Sequence, residues 1–79
     1  MEVIYTGYAE ESISERKLSK EIIKDAILNP DEVIEGKKNR KIAHKAIGNK
    51  LLRVIYEVDE KAYIVITAYY AEPRRYLGK

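Results

Sequence analysis

The spacing of apolar residues changes once along this chain, at Asn29-Pro30-Asp31. Upstream, Ile22, Ile23, Ala26 and Ile27 recur at the three-and-four spacing that gives a helix one apolar stripe. Ser19 stands where an N-cap accepts an amide hydrogen, Glu21 suits the positive end of the helix, and Leu18 and Ile23 have the separation of a hydrophobic staple. Thr6 is the corresponding cap of an earlier helix over TGYAEESISER, whose apolar face is thin, mainly Tyr8, Ala9 and Ile13. Before it, EVIY reads as a short strand or an extended lead-in. Pro30 has no amide hydrogen and biases Asn29 away from helical angles, so the second helix ends there.

Downstream the period becomes two. EVIEG, IAHKAI, LLRVIYEV and AYIVITAYY read as strands, joined by the polar turn KKNRK, the hairpin signal Gly48-Asn49 and the turn DEK. Links this short join antiparallel neighbours. The pattern predicts one α+β domain over residues 1–79: two N-terminal helices within about 6–29, packed on a four-stranded antiparallel β-meander within about 32–70, and a tail over 71–79. If Val58 opposes Ala62, then Tyr56 faces Ile64, Val54 faces Ile66 and Leu52 faces Ala68, an apolar set suited to the helices. A two-residue turn at Gly48-Asn49 sets His44 opposite Arg53, with Thr67 in the same row on the mixed second face. A slip of one residue would turn His44 towards the helices.

Composition narrows the chemistry. The 79 residues contain no cysteine and one histidine, which leaves no disulfide, thiolate zinc site or histidine-based metal cluster, and no metal or cofactor is expected. The most apolar stretch, Ala62 to Ala71, is too short to cross a bilayer as a helix, and the first residues lack the pattern of a secretion signal. A cytoplasmic protein without membrane contact is the expectation. The net charge of +2 hides an asymmetry: residues 1–35 carry four basic and nine acidic side chains, a net −5, and residues 36–79 carry eleven and four, a net +7. One side of the molecule should be acidic and the other basic.

Tyr5-Thr6, Glu15-Arg16 with Leu18-Ser19, Asn29-Pro30-Asp31, Leu52-Arg53-Val54-Ile55-Tyr56 and Val65-Ile66-Thr67-Ala68-Tyr69 follow one another in a recognisable order. In that order and spacing the chain resembles the DUF4258 family of small domains, whose pattern runs Tyr-Thr-x-His-Ala, Arg-Met-x-x-Arg-Gly-Ile-Ser, Asn-Pro-Asp, Leu-Arg-Val-x-Tyr and Val-Ile-Thr-Ala-Tyr. Tyr8 replaces the histidine of the opening, and the Arg-Met pair is not kept in the first helix. That family looks like a branch of the RelE, ParE and BrnT toxin superfamily. The resemblance implies a RelE-like fold, RNA as a substrate, a metal-independent ribonuclease activity and an antitoxin protein as partner.

Such cleavage needs a group to take the 2′-hydroxyl proton, a donor for the leaving oxygen, and positive charge at the phosphate. His44 is the candidate acid or base, Arg53 the candidate phosphate fork, and Tyr70 or Tyr76 the candidate proton donor or stacking ring. Lys37, Lys38, Arg40 and Lys41 in the basic turn, with Arg74 and Arg75 in the tail, are the candidate RNA-binding cations. Each has a plainer reading: His44 as a half-exposed strand residue, Arg53 as the partner of Glu57, the lysines as a solvated turn. Two other functions therefore stand beside the ribonuclease, a non-catalytic module that binds RNA or protein and an accessory domain that forms a homodimer through a sheet edge.

Overall fold

The structure, a computed structural model, describes residues 2–73. In chain order the elements are β1 (Glu2–Tyr5), α1 (Gly7–Glu15), α2 (Lys20–Leu28), β2 (Glu32–Glu35), β3 (Arg40–Ile47), β4 (Lys50–Val58) and β5 (Ala62–Ala71). Among these residues the strands form one five-stranded sheet in the order β1-β5-β4-β3-β2. The expected four-stranded antiparallel meander is thus corrected to a mixed sheet. EVIY is a true strand, and it lies parallel to β5, with Glu2 opposite Ala62 and Tyr5 opposite Val65. A parallel neighbour requires a long connection, and all the intervening elements supply it, so no local turn in the sequence marks the pairing.

Both helices begin as their caps predict. Thr6 Oγ1 accepts the Ala9 amide at 3.0 Å, and Ser19 Oγ accepts the Ile22 amide at 3.1 Å. The first helix ends at an unexpected residue: Lys17 takes φ +55°, while the Leu18 amide reaches the Ile13 carbonyl at 2.9 Å and the Lys17 amide reaches Ser14 at 3.2 Å. These are the bonds of a Schellman cap, which favours glycine at the position Lys17 holds.

Ala9, Ile13, Leu18, Ile23, Ala26 and Ile27 from the helices close on Ala43, Leu52, Val54, Tyr56, Val65 and Ala68 of the sheet. Tyr8, expected on the apolar face of α1, is instead exposed. Tyr56 and Tyr63 meet edge to face with ring centroids 5.6 Å apart.

The last hairpin also departs from expectation. Asp59 and Ala62 bond to each other, so the turn has two residues rather than three and Val58 pairs with Tyr63, not Ala62. That one-residue shift carries Tyr63 and Val65 to the helix side, where they pack on the core. A bulge then restores the other alternation: Tyr56 pairs with Val65, Ile55 with Thr67, and Val54 with Ala68. As a result Arg53 faces Tyr69 and not Thr67. The Thr67 hydroxyl meets Ser12 of α1 at 3.3 Å.

Candidate functional site

The Gly48-Asn49 turn sets the register that matters most. Gly48 takes φ +62°, Ile47 pairs with Lys50, and His44 pairs with Arg53, as a two-residue hairpin requires. Across the sheet the same rung continues from Glu32 of β2 through His44 and Arg53 to Tyr69 of β5. Leu52 and Val54 point into the core, so Arg53 between them points away from the helices.

Side chains along this rung form a continuous hydrogen-bonded row. His44 Nδ1 lies 3.0 Å from Glu32 Oε1, Arg53 Nε donates to His44 Nε2 at 3.1 Å, and Arg53 Nη1 donates to the Tyr69 hydroxyl at 2.6 Å. The Arg53 guanidinium also sits 5.5 Å from the centre of the Tyr69 ring. A guanidinium nitrogen only donates, so His44 Nε2 accepts; the imidazole is neutral, carries its proton on Nδ1 and donates it to Glu32. His44 is 1% exposed and Arg53 9% exposed, whereas 42% of the Glu32 side chain meets solvent. The arginine that looked like a partner for Glu57 therefore holds a histidine and a tyrosine instead.

Of the tyrosines considered from the sequence, Tyr70 pairs with Leu52 and so lies on the helix side, under Lys50, whose Nζ is 5.6 Å from its ring centre. Tyr69 is the ring that meets Arg53. The expected register put it on the same face but opposite Leu51; the shorter turn and the bulge together move the pairing by two residues and bring it to Arg53, and no residue type in the strand announces a bulge. Glu32 was missed for a similar reason: it lies twelve residues from His44 and becomes its neighbour only through strand pairing. Arg74, Arg75 and Tyr76 lie outside the described residues.

The basic turn has a mixed character. Arg40 Nε bonds Glu57 at 3.2 Å and Lys41 Nζ bonds Glu35 at 2.8 Å, the latter pairing raising the Lys41 pKa above its ordinary 10.5. Gly36, Lys37, Lys38, Arg40, Ile42 and Ile55 line a shallow concavity of about 400 Å³. Ile42 and Ile55 form the rung next to His44 and Arg53 on the same side of the sheet, roughly 7 Å away by strand geometry. This face therefore runs from cations through an apolar floor to the polar row. Among the described residues no group of acidic or histidine side chains is placed to hold a metal, and no helix is long and apolar enough to cross a membrane.

A family model described as a domain of unknown function, DUF4258, matches residues 5–70. The chain belongs to DUF4258. No curated protein and no solved structure matches it. Every member of the row, from Glu32 to Tyr69, falls inside the DUF4258 region, and Arg74, Arg75 and Tyr76 fall beyond it.

Proposed function

We propose that this DUF4258 protein is a toxin-type protein of the RelE and BrnT kind that acts on RNA as a metal-independent ribonuclease. The observation that carries the reading is the row itself: one rung brings together an imidazole oriented by a carboxylate, a guanidinium and a phenol. Those are the groups that transfer of a phosphoryl group to a neighbouring 2′-hydroxyl requires.

The row also suggests an order of events. In the resting arrangement Arg53 occupies the Nε2 lone pair of His44. A phosphate that draws Arg53 into a bidentate contact frees that lone pair, and Nε2 then takes the proton of the 2′-hydroxyl as its oxygen attacks phosphorus. Tyr69 gives its proton to the departing 5′-oxygen, which leaves a 2′,3′-cyclic phosphate and a free 5′-hydroxyl. The apolar floor of Ile42 and Ile55 suits a base, and Lys37 and Lys38 suit the flanking phosphates.

Incubation of RNA with the chain in chelator tests this, with Arg53→Ala, His44→Ala and Tyr69→Phe beside it. Cleavage to cyclic phosphate ends that falls at least about a hundredfold in the His44 variant is expected; intact RNA under all conditions overturns the ribonuclease. A second reading, RNA binding without cleavage, is favoured by one observation, the 1% exposure of His44. Salt-dependent binding of RNA that stays intact would select it.

A further inference from the structure

Asn29, Pro30 and Asp31 end α2, and the proposed chemistry makes no use of them. Yet the segment after α2 grips three successive residues of β3. Glu32 holds the His44 side chain on the face away from the helices. On the helix side, Lys45 Nζ donates to the Asn29 carbonyl at 2.8 Å. Asp31 works between them: its amide donates to the His44 carbonyl at 2.8 Å, and its Oδ2 accepts the Ala46 amide at 2.7 Å.

β2 is an edge strand that starts only at Glu32, the residue that faces His44. The end of a four-residue edge strand frays readily unless its neighbours tie it down. Asp31 supplies that tie with a main-chain and a side-chain bond, so that a carboxylate oxygen takes the Ala46 amide where a longer strand would offer a carbonyl. Glu32 has a long, partly exposed side chain, and it holds one ring nitrogen only when its backbone is fixed, because the free rotamers in water compete with that contact.

We propose that Asp31 is a positioning residue for the row: by pinning the start of β2 to His44 and Ala46 it aims Glu32 at His44 Nδ1, and so keeps Nε2 facing Arg53 as an acceptor. The Asn-Pro-Asp turn then has two tasks, stopping the helix and setting the histidine tautomer. Pro30 fits this because it takes no hydrogen bond of its own as a donor while Asn29, at φ −133° and ψ 60°, turns the chain towards β3. The inference rests on the geometry of the row and not on RNA chemistry, so either can fail alone.

The chain has one histidine, which makes its imidazole nitrogen spectrum that of a single residue. The experiment is ¹⁵N NMR of the imidazole in the full chain and in Asp31→Ala, Asp31→Asn, Asp31→Ser and Glu32→Ala, with amide dispersion as the check of folding. The native chain should show the Nδ1–H tautomer. In Asp31→Ala the ratio of Nδ1–H to Nε2–H should fall about tenfold, the effect of losing one hydrogen bond. Glu32→Ala should fall at least as far, and Asp31→Asn, which keeps an oxygen for the Ala46 amide, should restore the native ratio. If Asp31→Ala does not fold, Asp31→Ser, which keeps a shorter acceptor, is read in its place and should show a smaller fall. A folded Asp31→Ala or Asp31→Ser chain with the native ratio, while Glu32→Ala shifts it, overturns the proposal, as does an Nε2–H tautomer in the native chain.

Discussion

The two faces of β4 differ by a single step along the chain. Leu52, Val54 and Tyr56 meet the helices in an apolar core, while Arg53, between the first two, is almost as buried on the other side and bonds His44 and Tyr69. On the first face burial itself stabilises, with no directional demand, and many packings would serve. On the second, each buried polar atom needs a partner at the right distance and angle, and among the described residues no buried side-chain nitrogen or oxygen lacks one. The core tolerates approximation and the row does not.

Substitutions on the two sides should separate these demands. Leu52→Ala removes a fully buried side chain and should cost about 2–5 kcal/mol in denaturant unfolding, the larger figure if the helices cannot settle into the space. Arg53→Ala should cost about 1–3 kcal/mol, because His44 Nε2 and the Tyr69 hydroxyl lose their donor in a site where water has little access. A loss in Arg53→Ala no greater than that of an exposed lysine would show that the row is not a structural unit. Lys17→Gly acts on neither face and should stabilise by about 0.5–1 kcal/mol, since it relieves the left-handed backbone at the end of α1.

Alkaline titration sharpens the contrast from the core side. Burial holds the phenol groups of Tyr5 and Tyr56 above their ordinary 10.0, with a further push on Tyr56 from Tyr63. Unfolded phenols ionise first, so stability is complete below pH 10.0 and falls as the pH climbs from there through the higher folded values. Tyr56→Phe should flatten that fall when unfolding midpoints are compared between about pH 9 and 11. The smallest effect on stability belongs to the turn. Lys37→Ala with Lys38→Ala should change unfolding by less than about 0.5 kcal/mol. The same pair should reduce the salt slope of any RNA binding by up to about 2.

Much of the local structure was legible. Thr6 and Ser19 announce their helices because a cap is a contact between near neighbours, and Gly48-Asn49 announces its hairpin because few residues adopt the backbone such a turn needs. His44 and Arg53 were found as a pair for that reason. Tyr69 and Glu32 were not joined to them, since one reaches Arg53 only through a turn and a bulge that together move β5 by two residues, and the other through an edge strand brought back after the Asn-Pro-Asp turn.

The sequence by itself determined the two helices, the change of period after Pro30, the membership of DUF4258 and the opposition of His44 to Arg53. Each rests on residues close together in the chain or on a turn with one favoured geometry. Only the tertiary structure decided that β1 joins the sheet in parallel, that Tyr69 rather than Tyr70 reaches Arg53, and that Glu32 closes the row. Those outcomes follow from pairing between distant strands, where a shift of one residue exchanges the two faces and no neighbouring side chain reveals which has won.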